Sequence, residues 1–160
     1  MAADPSGWFP DLMSVTSRTI PAAPEDVFAV LSDGWTFASW VVGASRIRDV
    51  DEHWPQPGTR IQHSVGSWPL LLDDHTSAEE MTPNRMLQMR ARGWPAGEAR
   101  IRIELEEQGS GTVVTITEDA VSGPGLLVPG VLRSALLDWR NVETLQRLAY
   151  RVEGEVRRRA

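Results

Sequence analysis

A regular alternation of apolar and charged residues at 96–107, AGEARIRIELEE, constrains the fold more than any other stretch of the chain. Arginine and glutamate side chains alternate there with Ala99, Ile101, Ile103 and Leu105. Successive side chains of a strand point to opposite faces, so the pattern predicts a strand in a sheet with one buried and one wet face.

Strand patterns bounded by turn signals fill most of the chain. A first strand is predicted at 14–20, and the others at 45–52, 59–66, 69–80, 85–93, 97–107 and 112–119. The turn signals between the last six are WPQPG, GSWP, TPN, GWPAG and QGSG. Short turns between consecutive strands predict an antiparallel meander.

Three helices complete the predicted architecture. The first begins at Pro24, and its apolar face consists of Val27, Phe28, Val30 and Leu31. A second, short helix lies near 34–42, and a long one covers 130–152. On a 3.6-residue period, one side of the long helix carries Leu132, Ala135, Trp139, Val142 and Ala149, which we expect to pack on the sheet. A separate stripe of Arg133, Arg140, Arg147 and Arg151 is interpreted as a solvated edge rather than an anion site.

Six segments occur along the chain in a recognisable order: TIPAAPEDVFAVLSD at 19–33, WVVG at 40–43, PGTRIQHSVGSWPL at 57–70, the pattern E-x-x-x-P-N-R-M-L at 79–87, GTVVTITED at 111–119 and RNVETLQRLA at 140–149. Together they resemble the START-like (SRPBCC) helix-grip superfamily, and in particular its bacterial polyketide cyclase/dehydrase-like branch. The resemblance implies an α+β fold, in which a curved, seven-stranded antiparallel sheet wraps around the long C-terminal helix, with two short helices between strands 1 and 2. It also implies a cavity that takes a small hydrophobic molecule, and in some members a cyclisation or dehydration there.

Composition limits the domain organisation and the partners. A chain of 160 residues is typical of one domain, predicted at 13–153 between a flexible lead-in at 1–12 and a basic tail at 154–160. The net charge of −6 disfavours nucleic acid as a partner, and no apolar run is long enough for membrane insertion. Without a signal peptide, the expected location is cytoplasmic. Nothing in the sequence implies a cofactor, and a homodimer stays open.

Strand periodicity predicts which polar residues face inward around His63. Centring a turn on Ser67 and Trp68 directs Ile61, His63 and Val65 inward, and pairs them with Asp74, Leu72 and Leu70 respectively. His63 and Asp74 are then diagonal neighbours on one face. A slip of one residue would instead direct Asp73 and His75 inward. We favour the first register because it buries Ile61 and Val65 and exposes Arg60 and Gln62.

Two Trp-Pro turns are predicted at one end of the sheet. In a meander, alternate turns share an end, so Trp68-Pro69 and Trp94-Pro95 meet near the loop 120–130, opposite Trp54-Pro55. We interpret this rim as a ligand entrance that aromatic rings cover. The alternative is that these are ordinary turn residues whose rings pack on the hairpins.

His63 and Glu118 each allow two interpretations. His63 either anchors the sheet through hydrogen bonds or contacts a ligand, with Asp74 orienting its ring. Glu118 follows the inward-facing Val114 and Ile116, so it either pairs with an arginine or acts as a general base or as an acceptor for a ligand hydroxyl. The histidines do not share a face, so no metal site is expected.

These considerations favour binding of a small lipid- or polyketide-like ligand between the sheet and the long helix. A cyclase or dehydratase with His63, Asp74 and Glu118 as acid and base groups is the alternative, and a partner-binding role is a third. The expected ligand-binding residues are Trp40, Ile61, His63, Val65, Trp68, Leu72, Asp74, Met89, Trp94, Ile101, Ile116, Glu118 and Trp139.

Overall fold

The computed structural model describes residues 13–93, 97–127 and 129–160. The predicted lead-in at 1–12 and Trp94 lie outside this part of the chain. The strands are β1 Met13–Ile20, β2 Ala44–Val50, β3 Arg60–Val65, β4 Leu72–Thr82, β5 Met86–Gly93, β6 Gly97–Gln108 and β7 Gly111–Ser122. The α-helices are α1 Pro24–Ser32, α2 Phe37–Trp40 and α3 Gly130–Arg159, with 3-10 turns at Gly34–Thr36 and Pro124–Leu127.

All seven strands form one antiparallel sheet in the order β1-β7-β6-β5-β4-β3-β2. Strands β2 to β7 are consecutive neighbours, which confirms the predicted meander. The first strand closes the order beside β7, with Ser14 opposite Glu118. Register shifts interrupt the pairing of β2 with β3 and of β4 with β5, and such bulges bend a sheet. The curved α+β architecture expected from the resemblance is therefore present.

The two faces of the sheet differ as the alternation in β6 predicts. The concave face carries buried side chains such as Leu87, Ile103 and Ile116. The opposite face carries a lattice of ion pairs: Arg90 bonds Glu79 at 2.6 Å, and Arg100 lies 3.5 Å from the same carboxyl group. These charges stay at the surface because water and opposite charges can both solvate them there.

Helix α1 covers one end of the concave face. Pro24 stands in its first turn, and Val27, Phe28, Val30 and Leu31 are buried, as predicted. The carbonyl of Leu31, in the last turn, accepts a hydrogen bond of 3.1 Å from the indole Nε1 of Trp54. Thus Trp54, in the β2–β3 connection, fixes α1 against the sheet.

The predicted apolar stripe of α3 is wrong for most of its length. Leu132, Ala135, Trp139 and Val142 are exposed, and only Ala149 of that set is buried. The face turned to the sheet carries Arg133, Asn141 and Thr144 in its N-terminal half, and Leu145, Leu148 and Val152 beyond it. The orientation of a helix about its axis depends on its hydrogen bonds as well as on apolar packing, and the N-terminal half of α3 makes polar contacts on its buried side. Ser14 Oγ, for example, donates to Asp138 at 2.5 Å and accepts from Asn141 at 3.4 Å.

Helix α3 also runs past the predicted end at 152 to Arg159. Ion pairs at i,i+4 support this last segment, including Arg151 with Glu155 at 3.0 Å. Arg159 reaches Asp26 on α1 at 3.1 Å. Within the described residues, no helix is both long and apolar enough to cross a membrane.

Candidate ligand-binding site

A cavity of about 330 Å³ lies between the concave face of the sheet and the N-terminal half of α3. Its floor consists of cross-strand rows on β5, β6 and β7. The register aligns Ala91, Ala99 and Ala120 in one row, and Met89, Ile101 and Glu118 in the next. Three alanines side by side leave room above the sheet that larger side chains would fill.

The wall opposite the floor comes from α2, the segment that follows it, and α3. Residues 41–44 line the cavity, and the backbone N–H of Val42 donates to Thr144 Oγ1 at 3.3 Å. From α3, the cavity is lined by Arg133, Leu136, Leu137, Arg140, Asn141 and Thr144. The hydrogen bond to Thr144 therefore joins the two parts of this wall.

An aromatic cluster closes the β3 side of the cavity. Phe37 packs edge-on against Trp40, with ring centroids 5.3 Å apart, and stacks on His63 at 5.6 Å. His63 Nε2 shares a hydrogen bond of 2.9 Å with Thr76 Oγ1. These four residues all line the cavity. Trp40 Nε1 and His63 Nδ1 are buried and have no hydrogen-bond partner among the described residues.

The environment of His63 favours its neutral form. Burial lowers the pKa of His63 below its ordinary value, and the nearby charges of Arg48 and His75 lower it further. Asp74 acts in the opposite direction without reversing the shift. Near pH 7 the ring is thus an uncharged imidazole, which suits a hydrogen-bonding wall of a mostly apolar cavity.

Glu118 faces the cavity from β7, and Arg140 of α3 contacts it in a close ion pair. Glu118 is only 1 % exposed, so the guanidinium supplies the compensation that a buried carboxylate needs. Of the two alternatives for Glu118, the pairing with an arginine is present. It involves only Oε1, because Oε2 has no partner in the part of the chain that the structure describes.

The arginine stripe of α3 is thereby divided. Arg147 bonds Glu143 on the surface at 2.7 Å, as a solvated edge would. Arg140 instead lines the cavity, and Arg133 is buried and donates to the carbonyl of Leu126 at 3.3 Å. The prediction of a solvated edge was therefore wrong for the two N-terminal arginines, because that half of α3 turns its polar side inward.

The predicted pairing of β3 with β4 was wrong by two residues. His63 lies opposite Asp74, and Val65 opposite Leu72, because the connection spans residues 66–71 rather than a tight turn. A shift of two residues preserves the faces, so Ile61, His63, Asp74 and Thr76 are all buried. Asp74 does not line the cavity; its Oδ1 accepts from the backbone N–H of His75 at 2.8 Å.

The expected ligand-binding residues are placed in different surroundings. Seven of them line the cavity: Trp40, His63, Val65, Met89, Ile101, Ile116 and Glu118. Ile61 is buried in the packed core, and Leu72 is partly exposed at the start of β4. Trp68 and Trp139 are 85 % and 67 % exposed and do not line the cavity. Trp68 therefore does not cover it, and the rim predicted from Trp94 falls outside the described residues.

Several lining residues were not anticipated from the sequence. Strand periodicity could have predicted the alanine row, because Ala91 and Ala99 flank one turn symmetrically and Ala120 lies two residues beyond Glu118. Phe37 lies among apolar residues of the predicted short helix, and Thr76 lies within a strand pattern. Neither residue therefore stood out in the sequence as a cavity-lining position. Among the described residues, no group of three His, Asp or Glu side chains is arranged to hold a metal ion.

Comparison with solved structures shows the same fold in proteins of low sequence identity. Protein NE0264 from Nitrosomonas europaea is 18 % identical, with a TM-score of 0.71 over 92 % of this chain and 97 % of that chain. The Zhui aromatase/cyclase from Streptomyces sp. R1128 is 16 % identical, with a TM-score of 0.69 over 90 % of this chain and 94 % of that chain. TTHA0849 from Thermus thermophilus is 19 % identical, with a TM-score of 0.66 over 89 % of this chain and 98 % of that chain.

Comparison of the sequence with curated proteins finds no match. A family model, by contrast, covers most of the chain. The model described as polyketide cyclase / dehydrase and lipid transport matches residues 13–153, from the first residue of β1 into the last turns of α3. The fold and the cavity between sheet and helix agree with this match, and the chain belongs to the polyketide cyclase / dehydrase and lipid transport family.

Proposed function

We propose that this protein binds a small, predominantly apolar molecule in the cavity between β5–β7 and α3. The observation that carries the proposal is the cavity of about 330 Å³, whose floor includes the alanine row Ala91, Ala99 and Ala120. Natural cores seldom keep such a volume empty, because each missing contact costs dispersion energy. A volume of this size lies at the lower end of the range typical of small-molecule sites.

The lining supports an apolar guest. Met89, Ile101, Ile103 and Ile116 cover the floor, and Leu136 and Leu137 face them from α3. Burial of such a guest is favourable by about 25 cal/mol per Å² of apolar surface removed from water. Polar side chains also line the cavity, at the aromatic cluster, at the Arg140–Glu118 pair and along α3, but apolar side chains supply most of its surface.

Filling the cavity tests this proposal. Ala99→Leu should abolish binding of biphenyl measured by equilibrium dialysis, while circular dichroism stays that of the unaltered protein. Ala135→Leu, at an exposed position of α3, is the matched control and should bind as before. Equal biphenyl binding by Ala99→Leu and the unaltered protein would place the guest elsewhere. In a separate experiment, mass spectrometry of small molecules that co-purify with the protein would identify the natural guest.

An acid/base reaction in the same cavity is the second candidate. It is favoured by His63 on β3 and Glu118 on β7, two ionisable side chains that line one cavity. A neutral imidazole can accept a proton from a C–H or O–H group of a substrate. Turnover of a poly-β-ketone substrate that survives His63→Ala combined with Glu118→Gln would exclude these two side chains as its acid and base groups.

A further inference from the structure

The N-terminal half of α3 carries a line of apolar side chains on its outer side. Leu132, Trp139 and Val142 are more than half exposed, and Ala135 between them is exposed as well. We call these four residues the outer seam. Single apolar residues are ordinary on a protein surface, but a continuous line of them indicates a surface that binds a partner.

The charged side chains of this segment point away from the outer seam. Arg133 is buried, and Arg140 pairs with Glu118 beside the cavity. Asp138 accepts a hydrogen bond of 2.5 Å from Ser14 Oγ on β1. All four seam residues belong to the described part of the chain, and none of them lines the cavity. The outer seam is therefore an apolar surface separate from the candidate ligand site.

The spacing of the outer seam is typical of a helix that packs against another helix. Its members follow one another at intervals of three, four and three residues. The a and d positions of a heptad have this spacing, and they form the contact line of a coiled coil. The next position in the series is Gln146, so the apolar line ends after about three turns. A helical partner surface of the same short length therefore fits it.

The outer seam is complementary to a second copy of itself. In an antiparallel pair whose twofold axis is level with Leu137, Trp139 lies opposite the partner's Ala135. The same axis places Leu132 opposite the partner's Val142, and each contact occurs twice. The largest side chain of the seam then lies over the smallest one, which allows close packing. A parallel pair would instead place the two Trp139 rings on each other.

The exposed apolar surface is large enough for a stable pair. Three more exposed apolar side chains lie in or just before the same segment: Leu127, Val131 and Leu136. Seven side chains exposed to this degree present on the order of 700 Å², close to the ~800 Å² that each partner contributes to a standard interface. Burying this surface removes apolar area from water, and this favours association.

We propose that two copies of this protein associate through the outer seam as an antiparallel, twofold-symmetric helix pair. The alternative occupant of an apolar helix face is a lipid surface, and helices that lie on membranes carry unpaired Lys or Arg beside that face. On α3, Arg140 and Arg147 are paired with carboxylates, and the chain has a net charge of −6. A second copy therefore fits the outer seam better than a lipid headgroup layer does.

Sedimentation velocity of the full chain tests the proposal, in about 0.5 M NaCl to screen the repulsion between two chains of net charge −6. Between about 5 and about 200 µM protein, the sedimentation coefficient should rise from that of a monomer to that of a dimer. Trp139→Gln should weaken the dimer at least about tenfold, because aromatic residues contribute most to such interfaces. Trp35→Gln, at another exposed tryptophan, is the matched control and should leave the dimer unchanged.

Cysteine cross-linking tests the direction and the register of the pair. The chain has no cysteine, so a disulfide can form only at introduced positions. Leu132→Cys and Val142→Cys should form disulfide-linked dimers when the two variants are mixed, and far fewer when either is oxidised alone. Preferential linking of either variant to itself would overturn the antiparallel arrangement.

The remaining outcomes either support the proposal or overturn it. A chain that stays monomeric at about 200 µM would overturn it, and co-sedimentation of that monomer with phosphatidylcholine vesicles would assign the outer seam to a lipid surface. Equal weakening by Trp139→Gln and Trp35→Gln would also contradict it. Biphenyl binding should be the same in Trp139→Gln and the unaltered protein, which shows that the variant folds and that dimerisation and ligand binding are separate properties.

Discussion

Arg140 on α3 and Glu118 on β7 bond to each other at the edge of the cavity, and this pair ties the helix to the sheet. Glu118 has almost no contact with solvent, whereas about a third of the Arg140 side chain remains exposed. The pair therefore combines a fully buried anion with a partly hydrated cation. Its contribution to stability depends on the cost of leaving the buried carboxylate without a compensating charge when the arginine is removed.

Removal of the cation should destabilise the protein more than removal of the anion. Arg140→Met leaves an uncompensated buried carboxylate, and we expect a loss of about 1–3 kcal/mol in the free energy of unfolding, moderated by the partial exposure of the pair. Adding Glu118→Gln to Arg140→Met should restore part of it. Urea denaturation measures each value.

Arg147→Met is the control on the same helix. Arg147 pairs with Glu143, and both side chains are about two-fifths exposed. Such surface pairs contribute less than about 0.5 kcal/mol. An equal loss for Arg140→Met and Arg147→Met would contradict the role assigned to the buried carboxylate.

Stability should fall as the pH drops below the ordinary histidine pKa of 6.5. Burial holds the pKa of His63 lower in the folded state, so the unfolded chain binds more protons between the two pKa values. The contribution of neutral His63 to the free energy of unfolding is complete above pH 6.5, and it decreases as the pH falls from there to the pKa of the folded state. His63→Gln should flatten this part of a stability-versus-pH curve.

His75→Gln separates the two histidines. The pKa of His75 is also lowered, first by burial and then by Arg60 and Arg92, so its titration adds to the same slope. Because His75 is the less buried of the two, its substitution should remove a smaller part. A slope unchanged by His63→Gln would show that the ring does not titrate differently on folding.

Gly97, at the start of β6 on the cavity wall, should not tolerate a side chain. Its φ is 111°, and a Cβ atom there would lie 1.8 Å from the carbonyl oxygen of Ser122. Gly97→Ala should therefore lower the free energy of unfolding by about 2 kcal/mol or more. Gly109→Asn is the control, since Gly109 has a φ of 60° with open space around it, and asparagine adopts that conformation readily.

The indole of Trp54 should contribute to stability through one hydrogen bond as well as through packing. Trp54→Phe leaves the carbonyl of Leu31 without its donor in a buried region, and we expect a loss of about 1–3 kcal/mol by thermal or urea unfolding. Trp35→Phe, at a position 60 % exposed, should change stability by less than about 0.5 kcal/mol. Similar losses for both would contradict the role of the hydrogen bond.

Local pattern was sufficient for the faces of the strands and of α1. The alternation in β6 correctly predicted a buried concave face and a charged outer face, since side-chain direction in a strand depends only on position parity. For the same reason, His63 and Asp74 were assigned to the right face although their pairing was shifted by two residues. The meander order followed from short connections.

The pattern of hydrophobic residues alone predicted the wrong rotation of α3 about its axis. Its most regular apolar line, from Leu132 to Val142, faces solvent, because Ser14, Glu118 and Val42 provide polar partners for the opposite side. Those partners are distant in sequence, so no window of residues around the helix could reveal them. The exposure of Trp68 was missed for a related reason, since the length of the β3–β4 connection depends on strand pairing.

The sequence by itself determined the order of β2 to β7 and the side of the sheet on which His63 and Glu118 lie, because these depend on periodicity and on connection length, and its resemblance to a known family indicated the helix-grip fold. Only the tertiary structure decided that Arg140 is the partner of Glu118 and that three alanines from separate strands align beneath α3. Register, helix rotation and empty volume are properties of contacts between distant segments. The chemistry of the candidate site depends on those contacts.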